Sequence, residues 1–206
     1  MIDLDKSASG IWTVTVNRPD KANALTEDML MRLCDIAQDA TNARALILTG
    51  AGKVFSAGAD LDAAKAGLAT SPLWEKLSER LAALDGLTIC AMNGTVAGGA
   101  MGMALACDLR ISTPQAKIFY PVMRLGFLPQ PSDPKRLSAL IGPARAKMIL
   151  MAGQKIGVNE ALQWGLIDRI IEDDLLQAAH LLAHDSLNAS PDHAAAIKRM
   201  ISRAIT

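Results

Sequence analysis

Asn93-Gly94-Thr95-Val96-Ala97-Gly98-Gly99-Ala100-Met101-Gly102 (residues 93–102) decides how the chain folds. It follows the apolar run Leu87 to Met92 and leads into small and apolar residues through Ala106, so it reads as a bend between a buried strand and a helix near Gly99 to Ala106. The first N–H groups of such a helix lack partners and its dipole favours negative charge, which makes the bend a place for an anionic oxygen. Upstream, Phe55-Ser56-Ala57-Gly58-Ala59-Asp60-Leu61 (55–61) has the same setting: it follows the apolar run Arg44 to Thr49 and the turn Gly50-Ala51-Gly52. Its small side chains let a ligand approach the backbone. Taken alone, either segment is also what a turn looks like when it serves only to pack strand against helix. Neither is a phosphate loop, because no Gly-Lys-Ser/Thr follows, and the spacing is not that of a dinucleotide fingerprint.

Working outward, Ile11 to Val16 alternates as a strand and ends at the turn cluster Asn17-Arg18-Pro19-Asp20. Thr26 caps a helix with acidic Glu27 and Asp28 in its first turn and Met29, Leu30, Leu33, Ile36 and Ala37 on one face. A helix from Pro72 to Leu84 and a strand from Leu109 to Ser112 continue the alternation, which predicts an α/β architecture with parallel strands. From Pro134 the pattern is helical, broken at Gly142-Pro143, Gly153, Gly157 and Gly165, with Ile167 to Ile171 strand-like. The last helices run from Asp174 to Leu187, with Leu175, Leu176, Ala179, Leu182 and Ala183 inward, and from near Pro191. The expected organisation is an α/β core over 1–140 and a helical segment over 141–206.

The chain has 206 residues, half of them hydrophobic, enough for a well-buried domain. Lys plus Arg and Asp plus Glu number 21 each, so no net field gathers nucleic acid or an anionic membrane. No apolar run reaches the roughly 18 residues of a membrane span, and MIDLDKSASGIW lacks the features of a signal peptide. A cytoplasmic protein is expected, with no nucleic-acid or membrane partner. Cys34, Cys90 and Cys107 are odd in number and set among apolar residues, as buried thiols are. Met101, Met103, Met148 and Met151 read as core filler. His180 and His184 share a helix face but have no third ligand nearby, so no metal site is expected.

Asn17-Arg18-Pro19-Asp20-Lys21-Ala22-Asn23-Ala24-Leu25, then FSAGADL (55–61), then NGTVAGGAMGMALACDLRIS (93–112), in that order, resemble the crotonase, or enoyl-CoA hydratase/isomerase, family. PVMRLGFLP (121–129) and EALQWGLIDRII (160–171) are similar to two later family stretches. The resemblance implies a crotonase-like spiral of repeated ββα units, then a helical segment that mediates trimers or dimers of trimers. It implies that the backbone N–H groups of Ala59 and Gly99 form an oxyanion hole for the thioester of an acyl-CoA. Lys21, Ala22, Ala24, Ala57, Gly58, Asp60, Leu61 and Gly98 would hold the CoA moiety, Lys21 through its phosphates, with no cofactor beyond that moiety. Gly102, Pro121 and Val122 would line the substrate pocket.

Two positions depart from the family pattern. Its hydratases carry glutamates where this chain has Gly102 and Val122, and neither glycine nor valine can move a proton. The two-glutamate hydration mechanism is therefore not expected, nor is simple isomerisation through the second glutamate. Three alternatives stand: another enolate-stabilising reaction with a different proton carrier, a proton supplied by water or substrate, or acyl-CoA binding without turnover. Proton-carrier candidates are Asp62, Glu75, Glu79, Tyr120, Arg124 and Asp133, with Tyr120 and Asp133 foremost because they flank the 121–129 stretch. Asp60 and Asp108 are expected to serve loops and turns. Pro129, Pro131 and Pro134 replace a glycine-rich turn of the family, and the chain stops at Thr206 where family chains commonly continue.

Overall fold

In a computed structural model that describes residues 1–203, strands β1 (Ile2–Lys6) and β2 (Ile11–Val16) lead to α1 (Glu27–Asp39), β3 (Ala45–Gly50) and β4 (Val54–Ser56). Next come α2 (Leu61–Lys65), α3 (Leu73–Ala82), β5 (Leu87–Met92), β6 (Thr95–Ala97), α4 (Ala100–Ala106), β7 (Leu109–Ser112), β8 (Lys117–Phe119) and α5 (Val122–Leu125). The chain continues through α6 (Asp133–Leu150), β9 (Ile156–Gly157), α7 (Val158–Trp164), β10 (Arg169–Ile170), α8 (Leu175–Asn188) and α9 (Pro191–Arg203).

The strands form two sheets. The larger has the order β1-β2-β3-β5-β7-β10 and is parallel except for β1; the smaller has the order β4-β6-β8-β9 and is parallel except for β9. A strand of the large sheet, a short strand of the small sheet and a helix recur as β3-β4-α2, β5-β6-α4 and β7-β8-α5, which is a ββα spiral. Successive coils touch closely at the crossings. A Cβ on Gly94 would lie 2.0 Å from the Lys53 carbonyl, so only glycine fits there. The Asn93 side chain laces the same crossings, accepting from Gly50 N–H at 3.0 Å and donating to the Gly52 carbonyl at 2.8 Å.

Both faces of the large sheet are covered, which explains why β3 and β5 read as largely apolar runs, interrupted at Thr49 and Thr88. Leu46 and Leu48 of β3 face the main core with Leu33, Leu77, Met101 and Met103, whereas Ala45 and Ile47 face Leu175, Ala179 and Ala183 of α8. Each fully buried Leu or Ile contributes roughly 1.5–3 kcal/mol against exposure. Thr26 caps α1 as expected, accepting from Met29 N–H. The Arg44 guanidinium reaches the carbonyls of Ser186 and Leu187 at 2.8 and 3.1 Å, satisfying the end of α8.

Several elements depart from the sequence reading. β1, β4, β6, β8 and β9 were not anticipated; apart from β1 they span two or three residues, too short to show a period of two. Met148 and Met151 are 41% and 58% exposed on and just after α6 rather than in the core, and Leu176 lies outside the inner face of α8. α6 runs across residue 140 and loses helical geometry at Gly142, the residue before Pro143. Among the described residues no helix is long and apolar enough to cross a membrane.

Candidate active site

The loop after β2 lies along the loop after β4. Ala57 N–H donates to Ala22 O at 3.0 Å, Leu25 N–H to Gly58 O at 2.8 Å and Asp60 N–H to Leu25 O at 2.9 Å, so Ala22, Ala24, Ala57, Gly58 and Asp60 are gathered in one place. The contact depends on Ala22 and Asn23 adopting left-handed backbone at φ 51° and 54°. Asn23, fully buried, holds it: its side chain accepts from Arg18 N–H and donates to the carbonyls of Ala51 and Val54, while Ser56 Oγ donates to its carbonyl. Asn23 was missed in the sequence, where its tolerance of left-handed backbone is the one available signal. Lys21 is exposed at the rim, and Leu61 is 79% exposed.

Asp60 caps α2, accepting from Asp62 N–H and Ala63 N–H, and pairs with Arg18 Nη1 at 2.8 Å. The Arg18 hydrogen bond holds its carboxyl below the usual range. Its side chain is thus committed to the loop, as expected. Asp108 accepts from Thr88 N–H and Oγ1 and pairs with Lys198 at 2.7 Å, also a structural duty.

Leu25 pairs with both neighbours of Ala59 and so leaves the Ala59 N–H facing away from that bridge. Gly99 is the N-cap of α4, at φ −58° and ψ −19°. Among the described residues neither the Ala59 N–H nor the Gly99 N–H meets an acceptor. The two loops are in contact here: a Cβ on Gly58, itself at φ +88°, would lie 2.8 Å from Ala97 O and 3.2 Å from Gly99 N. Two unpaired main-chain donors therefore sit on touching backbones. Gly99 has no room for a side chain either, because its Cβ would come within 2.9–3.0 Å of the Trp74 ring.

At Gly102 the space for a side chain is occupied by another element. A Cβ there would lie 3.0 Å from Asp133 Oδ1, 3.0 Å from Ser78 Oγ and 3.2 Å from Asp133 Oδ2. Asp133 is fully buried and accepts from the Tyr120 hydroxyl at 3.0 Å, so the two foremost proton-carrier candidates form one pair. Among the described residues Asp133 Oδ1 and Ser78 Oγ meet no hydrogen-bond partner. Burial pushes the Asp133 carboxyl up to about 7, helped by the Glu75 charge and opposed by the Tyr120 hydrogen bond. Burial and the Asp133 charge raise Tyr120 as well. Glu75, half-buried on α3, accepts from Ser132 N–H at 3.1 Å, just before Asp133. Ser78 was not singled out in the sequence, where it reads as one more polar residue on an amphipathic helix.

Val122 is buried at the start of α5, next to half-buried Pro121. Asp62, Glu79 and Arg124 are exposed and join neither cluster. A separate cavity of about 950 Å³ lies between α6 and α9, lined in part by Leu105, Arg136, Leu140, Ala194 and Ile197; it contains none of the residues of the two glycine-rich loops. His180 and His184 are exposed on α8, with His184 beside Asn188, and among the described residues no three metal-ligating side chains gather. All three cysteines are buried thiols.

A spiral of ββα coils whose glycine-rich bends meet end to end defines the crotonase class of α/β protein. The family model for enoyl-CoA hydratase/isomerase matches residues 6–206. The chain is 34% identical to the short-chain-enoyl-CoA hydratase of Clostridium acetobutylicum over 94% of its length and 78% of that protein's. It is 32% identical to the 1,2-epoxyphenylacetyl-CoA isomerase of Escherichia coli, over 84% and 71% of the two chains. The crystal structure of an enoyl-CoA hydratase from Bacillus anthracis superimposes with a TM-score of 0.92 at 30% identity, covering 99% of this chain and 83% of that one. The chain belongs to the enoyl-CoA hydratase/isomerase family.

Proposed function

We propose that the chain is an enzyme acting on acyl-CoA thioesters, a lyase or isomerase that stabilises a thioester enolate between the N–H groups of Ala59 and Gly99. The observation that carries this reading is the pair of unpaired main-chain donors on touching loops. When an α-proton or an α-substituent leaves, its electron pair moves onto the thioester oxygen, and fixed donors stabilise that oxygen without reorganising; one such donor is worth about 3–4 kcal/mol of barrier. Lys21, Ala22, Ala24, Ala57, Gly58, Asp60, Leu61 and Gly98 hold the CoA moiety, mostly through backbone groups, and no other cofactor is required. Pro121, Val122 and Gly102 bound the acyl end.

Proton handling falls to the Tyr120–Asp133 pair, because Gly102 and Val122 have no titratable group. A carboxyl near 7 exchanges protons at neutral pH. Asp133 is enclosed, so transfer to substrate requires the segment joining Tyr120 to Asp133 to open. The two-glutamate hydratase mechanism is absent. The protein works in the cytoplasm as a trimer or dimer of trimers assembled through residues 141–206. That same enclosure of Asp133, with Gly102 and Val122 inert, favours a second reading, an acyl-CoA binding subunit without turnover.

Deuterium exchange at the α-carbon of several acyl-CoAs in D2O separates the two. The enzyme exchanges the α-proton, faster as pH rises through about 7; tight binding with no exchange leaves the binding subunit. Hydration of crotonyl-CoA at rates ordinary for the family would overturn the inference from Gly102 and Val122.

A further inference from the structure

We propose that Trp74 is a positioning residue for the oxyanion hole, its indole ring serving as the surface against which the Gly99 peptide is set. The inference rests on the reading of Ala59 and Gly99 as the donors. With no side chain at 99, the six-membered ring of Trp74 meets the backbone directly: its Cε3, Cδ2 and Cζ3 lie 2.9–3.0 Å from the point a Cβ would take. Another flank of the same turn is held by the Gly58 backbone. The turn itself is held from within by Met101 N–H and Gly102 N–H, which return to the carbonyls of Gly98 and Gly99 at 3.0 and 3.1 Å. Clamped in this way, the Gly99 N–H has one direction.

Trp74 cannot retreat from the contact. It is 3% exposed, and its Nε1–H donates to the Leu68 carbonyl at 2.8 Å. Leu68 opens the short 3-10 turn Leu68–Thr70, which follows α2, and α2 is capped by Asp60. The chain from Ala59 through Asp60, α2 and Leu68 thus connects by one hydrogen bond to the ring that bears on Gly99. Trp74 couples the position of one donor to the position of the other, a role that packing alone would not give it.

The test uses the carbonyl stretch of enzyme-bound crotonyl-CoA, read by difference infrared or Raman spectroscopy, with α-proton exchange of a saturated acyl-CoA as the kinetic readout. Trp74→Leu removes the ring face and the Nε1 donor; Trp74→Phe keeps a ring and loses the donor. Since a misplacement on the order of 1 Å can cost about 100-fold in rate, Trp74→Leu is expected to lose most of the exchange and most of the carbonyl shift, with CoA affinity kept and Trp74→Phe recovering part. A folded Trp74→Leu protein with wild-type shift and exchange overturns the proposal. If the wild-type protein itself shows no carbonyl shift, the donor assignment fails and this inference with it. Should Trp74→Leu not fold, Gly99→Ala probes the contact from the other side. Alanine keeps the N–H and suits φ −58°, so any loss of shift comes through its Cβ against the ring, and an unchanged shift overturns the proposal.

Discussion

The two halves of the site are built from different materials. The proposed polarising half consists of main-chain N–H groups on bends whose backbones touch, while the proposed proton half consists of buried side chains, Tyr120 and Asp133, set near Ser78 and the Glu75 charge. The first depends on what is absent, since Gly58 and Gly99 have no room for a Cβ. The second depends on which side chains are present: the carboxyl of Asp133 comes from α6 into the space that a side chain on Gly102 of α4 would need. On the proposed reading, a fold keeps its grip on a carbonyl oxygen while exchanging the group that moves the proton.

The contrast breaks most clearly at Gly58. Gly58→Ala sets a Cβ 2.8 Å from Ala97 O on a backbone at φ +88° and should part the two donors, lowering α-proton exchange by about 10²–10³-fold. Wild-type exchange in this variant would show that the donors do not act together. For the proton half, Asp133 carries its signature in stability against pH. Its folded value near 7 is raised above the ordinary 3.8, so its stabilising contribution is complete below about pH 4 and declines as pH rises to about 7. The decline is on the order of 4 kcal/mol, and Asp133→Asn should abolish it, leaving a urea midpoint flatter than wild type over that window. Parallel pH profiles in the two proteins would remove Asp133 as a buried titrating group.

A smaller effect is expected where the halves touch. Gly102→Ala should lose about 1 kcal/mol or more although alanine favours helices, because the new methyl presses on Asp133 and Ser78. Combined with Asp133→Ala the loss should shrink, which a double-mutant cycle in urea would detect. The smallest effect belongs to the rim. Lys21→Ala should weaken CoA binding by about 1 kcal/mol or less, with the difference fading at high salt; an undiminished difference would assign Lys21 another role.

Much of this was legible in the sequence, for identifiable reasons. The large-sheet strands β3 and β5 announce themselves because burial on both faces makes them apolar except at Thr49 and Thr88, β7 shows itself by alternating Leu109 and Ile111 with Arg110 and Ser112, and Gly98-Gly99 announces a bend because no other residue pair tolerates it so well. The small-sheet strands β4, β6 and β8 do not, since three residues cannot display a period and their partners are far along the chain. Tyr120 and Asp133 were reachable through their place beside the 121–129 stretch, but their hydrogen bond was not. Trp74 looks like any buried aromatic on an amphipathic helix. That it bears on Gly99 emerges only when α3 and α4 are packed.

β4 and β6 are paired with Ser56 opposite Val96, and Ala59 and Gly99 lie the same number of residues beyond that pair. Beyond that pair the strands have ended and the two backbones touch, the point of a Cβ on Gly58 lying 3.2 Å from Gly99 N, so the small sheet sets which bend meets which. Hydrogen bonding in the small sheet thus acts as a registration pin, holding two bends far apart in the chain face to face before any ligand arrives.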